Sequence, residues 1–196
     1  MTYKDNLPEI SIIVPLYNEV ENVPILHQKI SGTMKILNRT YEVVYINDGS
    51  SDGTLDALMS LPNEEKNILI LNLKGNNGQT AALAAGFDYA RGNIIVSLDG
   101  DLQHDPSEIP NFIKEIDAGY DIVSGWREHR VDPYFSRKLP SRVANWIMAK
   151  WSGVPLHDFG TTFKAYRSEV IKSVSLYGEF HRFIPVLVEG MKINIK

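Results

Sequence analysis

Short apolar runs alternate with helical patterns along the first 124 residues, and this alternation restricts the possible folds more than any other feature. The apolar runs are mostly continuous, which is typical of strands covered on both faces. They lie at Glu9–Leu16, Glu42–Asn47, Asn67–Leu73, Asn93–Leu98 and Asp121–Ser124. The helical patterns lie at Val23–Leu37, Leu55–Ser60, Thr80–Ala90 and Pro106–Asp117. Repeated strand–helix pairs predict an α/β domain with a mostly parallel, Rossmann-like central sheet flanked by helices.

Helix starts and the last residues add detail to this prediction. Pro24 and Pro106 suit the first turn of a helix, so Asn22 and Asp105 are the expected N-caps. The final residues, Ile193–Lys196, have the pattern of a strand.

The composition is that of one folded domain over residues 1–196, with 43% hydrophobic and 22% charged residues. The net charge of −4 argues against nucleic acid as a partner. The absence of cysteine excludes disulfides and thiolate metal sites. There is no signal peptide and no run of about 18 apolar residues. We therefore expect a soluble or peripheral chain, with any membrane region following residue 196 in the native protein.

Acidic residues cluster after the fourth apolar run, in the stretch SLDGDLQHDP at Ser97–Pro106. Like charges as close as Asp99 and Asp101 repel each other unless a cation or hydrogen-bond donors offset them. One interpretation is an acidic turn followed by a helix cap, because Asp and Gly are common in turns. The other is a divalent metal over a phosphate, because carboxylate oxygens suit Mg²⁺ and Mn²⁺.

Three polar strand ends are expected to meet at one edge of the sheet: Val14–Glu19, Asn47–Gly53 and Asp99–Asp101. Ligands of open parallel sheets bind outside the carboxyl ends of the strands. The glycine patterns GxGxxG and GxxxxGK[ST] are absent, which argues against dehydrogenases and P-loop proteins. A metal bridging a diphosphate would stabilise a leaving nucleotide, so the pattern favours a nucleotide-sugar transferase.

Five motifs make the chain similar to a known family. They are Ile13–Glu19, Ile46–Thr54, Asn76–Leu83, Leu98–Gln103 and Asp158–Tyr166. On these motifs the chain resembles family 2 glycosyltransferases with the GT-A fold, and among them the polyprenyl-phosphate hexose synthases of the dolichol-phosphate mannose synthase-like branch. The chain departs from the family at Asn47, where an acidic residue is frequent, and at Gly75, where an arginine is frequent and Lys74 is the candidate substitute.

The resemblance implies a role for each matching residue. The implied nucleotide-binding residues are Pro15, Tyr17, Asn18, Glu19, Asp48, Asn76, Gly78 and Asp99. The implied metal ligands are Asp99, Asp101 and Gln103. The implied catalytic residues are Asp101, Asp158, Arg127 and Arg137, and the acceptor phosphate would be bound by Arg127, Arg137 and Ser141.

Simpler structural interpretations remain open for some of these residues. Tyr17 could be a packing residue, and Asn76 and Gly78 could form a helix-start turn without a ligand. Asp52 is expected to be a turn or cap residue. His104 is expected to be exposed rather than to ligate a metal.

The stretch from about 125 to 160 is the predicted acceptor- and membrane-facing part. Four arginines fall within sixteen residues there, between Arg127 and Arg142, and their forked guanidinium groups suit phosphate oxygens. A solvated basic loop is the alternative. The helical pattern Ser141–Trp151 carries aromatic residues beside basic ones, which suits either a membrane interface or a core helix.

Together these features predict an inverting transfer of a hexose from a UDP- or GDP-sugar to undecaprenyl or dolichyl phosphate, with Mg²⁺ or Mn²⁺, at the cytoplasmic face of a membrane. The main alternative is a family 2 transferase with a sugar hydroxyl acceptor in surface polysaccharide synthesis. A nucleotidyltransferase and a non-catalytic binding module are further alternatives, and homo-oligomerisation is left open.

Overall fold

The computed structural model describes residues 7–62, 66–125, 161–174, 184 and 193–196. Within them the chain forms a six-stranded sheet in the order β3-β2-β1-β4-β6-β5. The strands are β1 Ile10–Leu16, β2 Tyr41–Asn47, β3 Ile68–Asn72, β4 Ile94–Ser97, β5 Ile122–Ser124 and β6 Lys164–Arg167. Strands β1 to β4 are parallel, so the predicted strands and the mostly parallel sheet are confirmed.

Strand β6 was not predicted, and it lies inside the sheet. It runs antiparallel between β4 and β5, with Lys164 opposite both Ser97 and Ser124. The strand has only four residues and carries a cation at each end, Lys164 and Arg167, so it lacks the apolar run that indicated the other strands.

The predicted helices are confirmed: α1 Asn22–Leu37, α2 Thr54–Met59, α3 Gln79–Tyr89 and α4 Ile109–Asp117, with an unpredicted α5 at Ser168–Lys172. A 3₁₀ turn at Pro106–Glu108 leads into α4, and Asp105 caps it by accepting from the Ser107 nitrogen at 3.1 Å, as predicted. The prediction for Asn22 was wrong. Helix α1 begins at Asn22, so Glu21 occupies the N-cap position, and the Asn22 side chain donates to Glu19.

Both faces of the sheet are covered, as the continuous apolar runs predicted. Ile12 of β1 packs with residues of α1 and α4, whereas its neighbour Ile13 packs with residues of α3 and α5. Helix α3 approaches the sheet closely at Gly86, where an added Cβ would lie 2.4 Å from Ile13 Cγ2. Close packing of α3 fixes where its first turn meets the strand ends.

A buried carboxylate joins strands at the opposite end of the sheet. Glu42 of β2 accepts hydrogen bonds from the Ser11 hydroxyl of β1 at 2.6 Å and from the Arg91 guanidinium at 2.6 Å. Its side chain is 1% exposed. This network lies away from the carboxyl ends of the strands, so its contribution is to stability.

The pattern of Ile193–Lys196 predicted a strand, and the structure has an isolated bridge there, beside β5. Ile195 forms a parallel bridge with Ile122, and the Lys196 nitrogen donates to the Ile122 carbonyl at 3.0 Å. In the described ranges, no helix combines the length and the apolar character needed to cross a membrane.

Candidate functional site

The carboxyl ends of β1, β2 and β4 and the start of α3 enclose a cleft of about 440 Å³. Its lining contains Pro15, Leu16, Tyr17, Glu19, Asp48, Asn76, Gly78, Gln79, Ala82, Asp99, Gly100 and Asp101. The structure therefore brings together most of the residues expected to bind a nucleotide and two of the expected metal ligands. The three polar strand ends meet as the parallel topology predicted.

Asp48 connects the end of β2 to the loop before α3. Its Oδ1 accepts from the Asn77 backbone nitrogen at 2.8 Å, and its Oδ2 accepts from the Gly78 nitrogen at 2.9 Å. The side chain is buried but still borders the cleft. Asp48 thus shapes the wall of the cleft. Its Oδ1 also accepts from Asn77 Nδ2 at 3.5 Å, so Oδ2 is the oxygen that retains a lone pair for a ligand.

The loops after β2 and β3 contact each other backbone to backbone. Gly49 has a φ of 69°, and an added Cβ there would lie 2.2 Å from the Gly75 carbonyl carbon. Glycine is required at Gly49 for both reasons. Lys74, the candidate substitute for the missing arginine, is exposed and is not part of the cleft lining.

Asn18 joins the loops after β1 and β2 and lies outside the cleft lining. It adopts a left-handed conformation with a φ of 55°, and its Oδ1 accepts from the Ser51 nitrogen at 2.9 Å. Asp52 serves the same junction, accepting from the Thr54 hydroxyl at 2.6 Å and from the Val20 nitrogen at 3.1 Å. The Thr54 hydroxyl is the main reason that the pKa of Asp52 is lowered. The expected turn role of Asp52 is confirmed.

Asp99, just beyond β4, is held from two sides. Its Oδ1 accepts from Gln79 Nε2 at 2.7 Å, and its Oδ2 accepts from the Thr162 hydroxyl. His104 Nε2 lies 3.8 Å from the same Oδ2. Gln79 and Thr162 were not among the predicted site residues, although each lies within one of the five motifs. Thr162 was missed because its position next to Asp99 depends on β6, and β6 was not predicted.

The expectation that His104 is exposed was wrong. Its side chain is 6% exposed, and its ring lies 5.2 Å from the Phe163 ring, measured between centroids. The chain turns at Leu102, which has a φ of 60°, and His104 packs inward against the segment that precedes β6. Nonlocal packing therefore decides the burial of His104.

Asp101 differs from Asp99 in exposure. Its side chain is exposed at the cleft, and its Oδ1 accepts from the Gln103 nitrogen at 3.0 Å. Gln103 is exposed and lies outside the cleft lining. Two carboxylates at one end of a cleft are a donor set that fits a hard divalent cation. Across the described segments, no group of three or more His, Asp or Glu side chains could hold a metal ion.

The remaining predicted residues lie outside the described residues. They are Arg127, Arg137, Ser141 and Asp158, together with the helical pattern Ser141–Trp151 and most of the acceptor-facing part at 125–160.

Residues 11–175 match the sequence family described as Glycosyl transferase family 2. Among similar curated proteins, the dodecaprenyl-phosphate galacturonate synthase of Rhizobium johnstonii is 42% identical over 185 residues. The undecaprenyl-phosphate 4-deoxy-4-formamido-L-arabinose transferase of Yersinia enterocolitica is 37% identical over 188 residues. These matches cover 93% and 95% of this chain, but 55% and 57% of the relatives, so the chain spans little more than half their length.

Solved structures share the fold. A glucosyl-3-phosphoglycerate synthase from Mycobacterium tuberculosis, in complex with Mn²⁺, UDP and phosphoglyceric acid, has a TM-score of 0.73 at 17% identity. That match covers 96% of this chain and 67% of the other. A mannosyltransferase from Pyrobaculum calidifontis, in complex with GDP-Man and Mn²⁺, has a TM-score of 0.60 at 21% identity. That match covers 89% of this chain and 48% of the other. The predicted GT-A fold is confirmed.

Proposed function

Because this chain belongs to glycosyl transferase family 2, we propose that it is the catalytic domain of an enzyme that transfers a sugar from a nucleoside-diphosphate sugar to a polyprenyl phosphate. The sequence predicted a hexose. The names of the relatives include galacturonate, an oxidised hexose, and an arabinose derivative, which is a pentose. The proposal is therefore for the transfer of a glycosyl group, either a hexose or a pentose.

The observation that carries the proposal is that two different groups of residues line the two sides of the cleft. Asp48 and Tyr17 lie with the loop before α3, and Asp99 and Asp101 lie at the end of β4. A nucleoside at the first group would direct its diphosphate toward the two carboxylates. The cleft volume of about 440 Å³ is in the range of small-molecule sites, which is about 300–1,000 Å³.

Two carboxylates facing an anionic diphosphate require a cation, and Asp99 and Asp101 would hold Mg²⁺ or Mn²⁺. When bound, the cation would offset the charge that develops on the leaving diphosphate. The Mn²⁺ complexes with UDP and with GDP-Man, on the same fold, support this proposal without choosing between the two nucleotides.

The acceptor chemistry needs no strong base, because a phosphate monoester is largely ionised near pH 7, with a second pKa of about 6. In a single displacement, an acceptor phosphate oxygen bonds to the anomeric carbon while the bond to the diphosphate oxygen breaks. Its electron pair leaves with the nucleoside diphosphate, so an α-linked donor gives a β-linked product. Arg127, Arg137 and Ser141 are proposed to hold the acceptor phosphate, and Asp158 is proposed to act near the sugar.

The location follows from the acceptor. A polyprenyl phosphate resides in a membrane and nucleotide sugars are made in the cytoplasm, so the cleft would work at the cytoplasmic face. The lipid-linked acceptors in the names of the relatives support lipid phosphate over a sugar hydroxyl.

The test is transfer from radiolabelled UDP- and GDP-sugars to undecaprenyl phosphate in detergent, with Mg²⁺ or Mn²⁺. We expect label to enter the organic phase as a mild-acid-labile product. Label that appears only in a water-soluble glycan, with a sugar acceptor, would replace the proposal with the hydroxyl-acceptor alternative.

A further inference from the structure

Among the described residues, Thr162 contacts the cleft lining through Asp99. Its hydroxyl donates to Asp99 Oδ2, while Gln79 Nε2 donates to Oδ1 at 2.7 Å. Thr162 is 6% exposed and is not part of the cleft lining, whereas Gln79 is. Of the two donors, Thr162 is therefore the one whose effect on a ligand would have to pass through the carboxylate.

Thr162 is itself fixed by the sheet. Its backbone carbonyl accepts from the buried Ser97 hydroxyl of β4, and β6 begins two residues later in antiparallel register with β4. The strand that carries Asp99 and the segment that carries Thr162 are thus joined before Asp99 leaves the sheet. This connection places the Thr162 hydroxyl next to Asp99 Oδ2.

Resting on the proposed function, we propose that Thr162 is a positioning residue that fixes the Asp99 carboxylate for the nucleoside diphosphate and its cation. A carboxylate at a strand end that lacks a fixed partner samples several rotamers, and losing that freedom on binding weakens affinity. Hydrogen-bond partners of metal-binding carboxylates typically contribute about 10–100-fold to metal affinity or activity. Thr162 raises the affinity for the donor without touching it.

The test is calorimetric binding of UDP and GDP to the 196-residue chain, with Mn²⁺ and with excess chelator. Thr162→Val removes the hydroxyl at constant size, and Thr162→Ser keeps it. Thr161→Val is the matched control. The Thr161 hydroxyl accepts from the Phe163 nitrogen at 3.2 Å and lies 3.5 Å from His104 Nε2, so this change removes a neighbouring buried hydroxyl and leaves the Thr162 donor to Asp99 in place. We expect Thr162→Val to weaken Mn²⁺-dependent binding by about 10-fold or more. Thr162→Ser and Thr161→Val should stay within about two-fold of the wild type.

A double-mutant cycle makes the test specific. If Thr162 acts through Asp99, Thr162→Val should change affinity by less than about two-fold in the Asp99→Ala background, because the group it positions is gone. Two outcomes would overturn the inference and leave the proposed function intact. One is a wild-type nucleotide affinity in Thr162→Val. The other is an equal loss of affinity in Thr162→Val and Thr161→Val, with no recovery of affinity in Thr162→Ser. A wild-type chain that binds neither nucleotide would instead overturn the proposed function, and the inference with it.

Discussion

The carboxylate of Asp48, at the end of β2, accepts a hydrogen bond from the backbone nitrogen of Gly78, which precedes α3, at 2.9 Å. Its other oxygen accepts from the neighbouring Asn77 nitrogen. One side chain thereby connects two strand-end loops that are thirty residues apart. Asp48, which is proposed to lie beside the nucleoside, therefore also builds the wall of the cleft.

Replacing Asp48 should therefore affect both stability and donor binding. In Asp48→Ala the Asn77 nitrogen loses the Asp48 carboxylate as its acceptor, and the Gly78 nitrogen keeps Asn76 Oδ1 at 3.0 Å as a second acceptor. The change should therefore lower the free energy of unfolding by about 1–3 kcal/mol. Nucleotide affinity should fall at least about ten-fold, with little change in affinity for the lipid. Denaturant unfolding and calorimetry measure the two effects. Asp56→Asn, which removes an exposed charge on α2, is the control. Unchanged nucleotide affinity in Asp48→Ala would contradict the proposed position of the nucleoside beside Asp48.

Asp101 should be required for transfer but not for folding. Its side chain is exposed, so Asp101→Asn should keep the free energy of unfolding within about 0.5 kcal/mol while transfer is lost. Titration of Mg²⁺ or Mn²⁺ in the transfer assay should show an absolute requirement in the wild type. Asp105→Ala is the matched comparison, because it removes the cap before α4. This variant should lose about 1 kcal/mol of stability and keep its transfer activity. Full transfer in excess chelator would refute the metal proposal.

Arg127 and Arg137 should determine the use of the lipid acceptor. Each Arg→Ala change should lower catalytic efficiency toward polyprenyl phosphate by about thirty-fold or more, because losing one partner of a close charge pair costs about 2–5 kcal/mol. Arg→Lys should retain only part of the catalytic efficiency, because an ammonium group cannot form the two parallel hydrogen bonds of a guanidinium group. Steady-state transfer with varied lipid and fixed donor measures this effect.

The matched control is Arg39→Ala. That arginine pairs with Asp117 at 2.8 Å on the surface and lies outside the cleft lining. Donor hydrolysis without acceptor should be unchanged in all of these variants. Wild-type efficiency in both Arg127→Ala and Arg137→Ala would contradict the proposed acceptor site and favour the alternative of a solvated basic loop.

The Glu42 network should affect stability alone. Arg91→Met keeps an aliphatic side chain but leaves the buried carboxylate of Glu42 without its cation. We expect a loss of about 2–3 kcal/mol in the free energy of unfolding, the usual range for a buried group deprived of a charged partner. Nucleotide affinity should not change, because Glu42 and Arg91 are not part of the cleft lining. A stability loss below about 0.5 kcal/mol would mean that Ser11 and the Arg91 backbone satisfy the carboxylate by themselves.

His27 should make stability depend on pH. Burial beside Tyr45 lowers the pKa of His27, although a hydrogen bond with the Pro62 backbone opposes the shift. The unfolded chain therefore binds a proton more readily than the folded chain, and stability falls as the pH drops below the ordinary histidine pKa of about 6.5. Urea unfolding between pH 7.5 and pH 5, on the wild type and on His27→Gln, isolates this contribution. Parallel stability profiles for the two proteins would contradict it.

The parallel α/β framework and the meeting of three polar strand ends were predictable from the order of the residues. These conclusions rest on local patterns: continuous apolar runs identify covered strands, and the parallel order places all their carboxyl ends at one edge. The strand ends that contain Asp48, Asp99 and Asp101 were found for that reason, and the resemblance to the family implied the roles of these three residues.

The groups that hold those residues depend on contacts between distant parts of the chain. Strand β6 enters between β4 and β5, and this brings Thr162 to Asp99 although 63 residues separate them. The same segment buries His104, which a local pattern placed at the surface. A four-residue strand with charged ends has no periodic signal of its own, so its place depends on the hydrogen bonds and packing that the finished sheet offers.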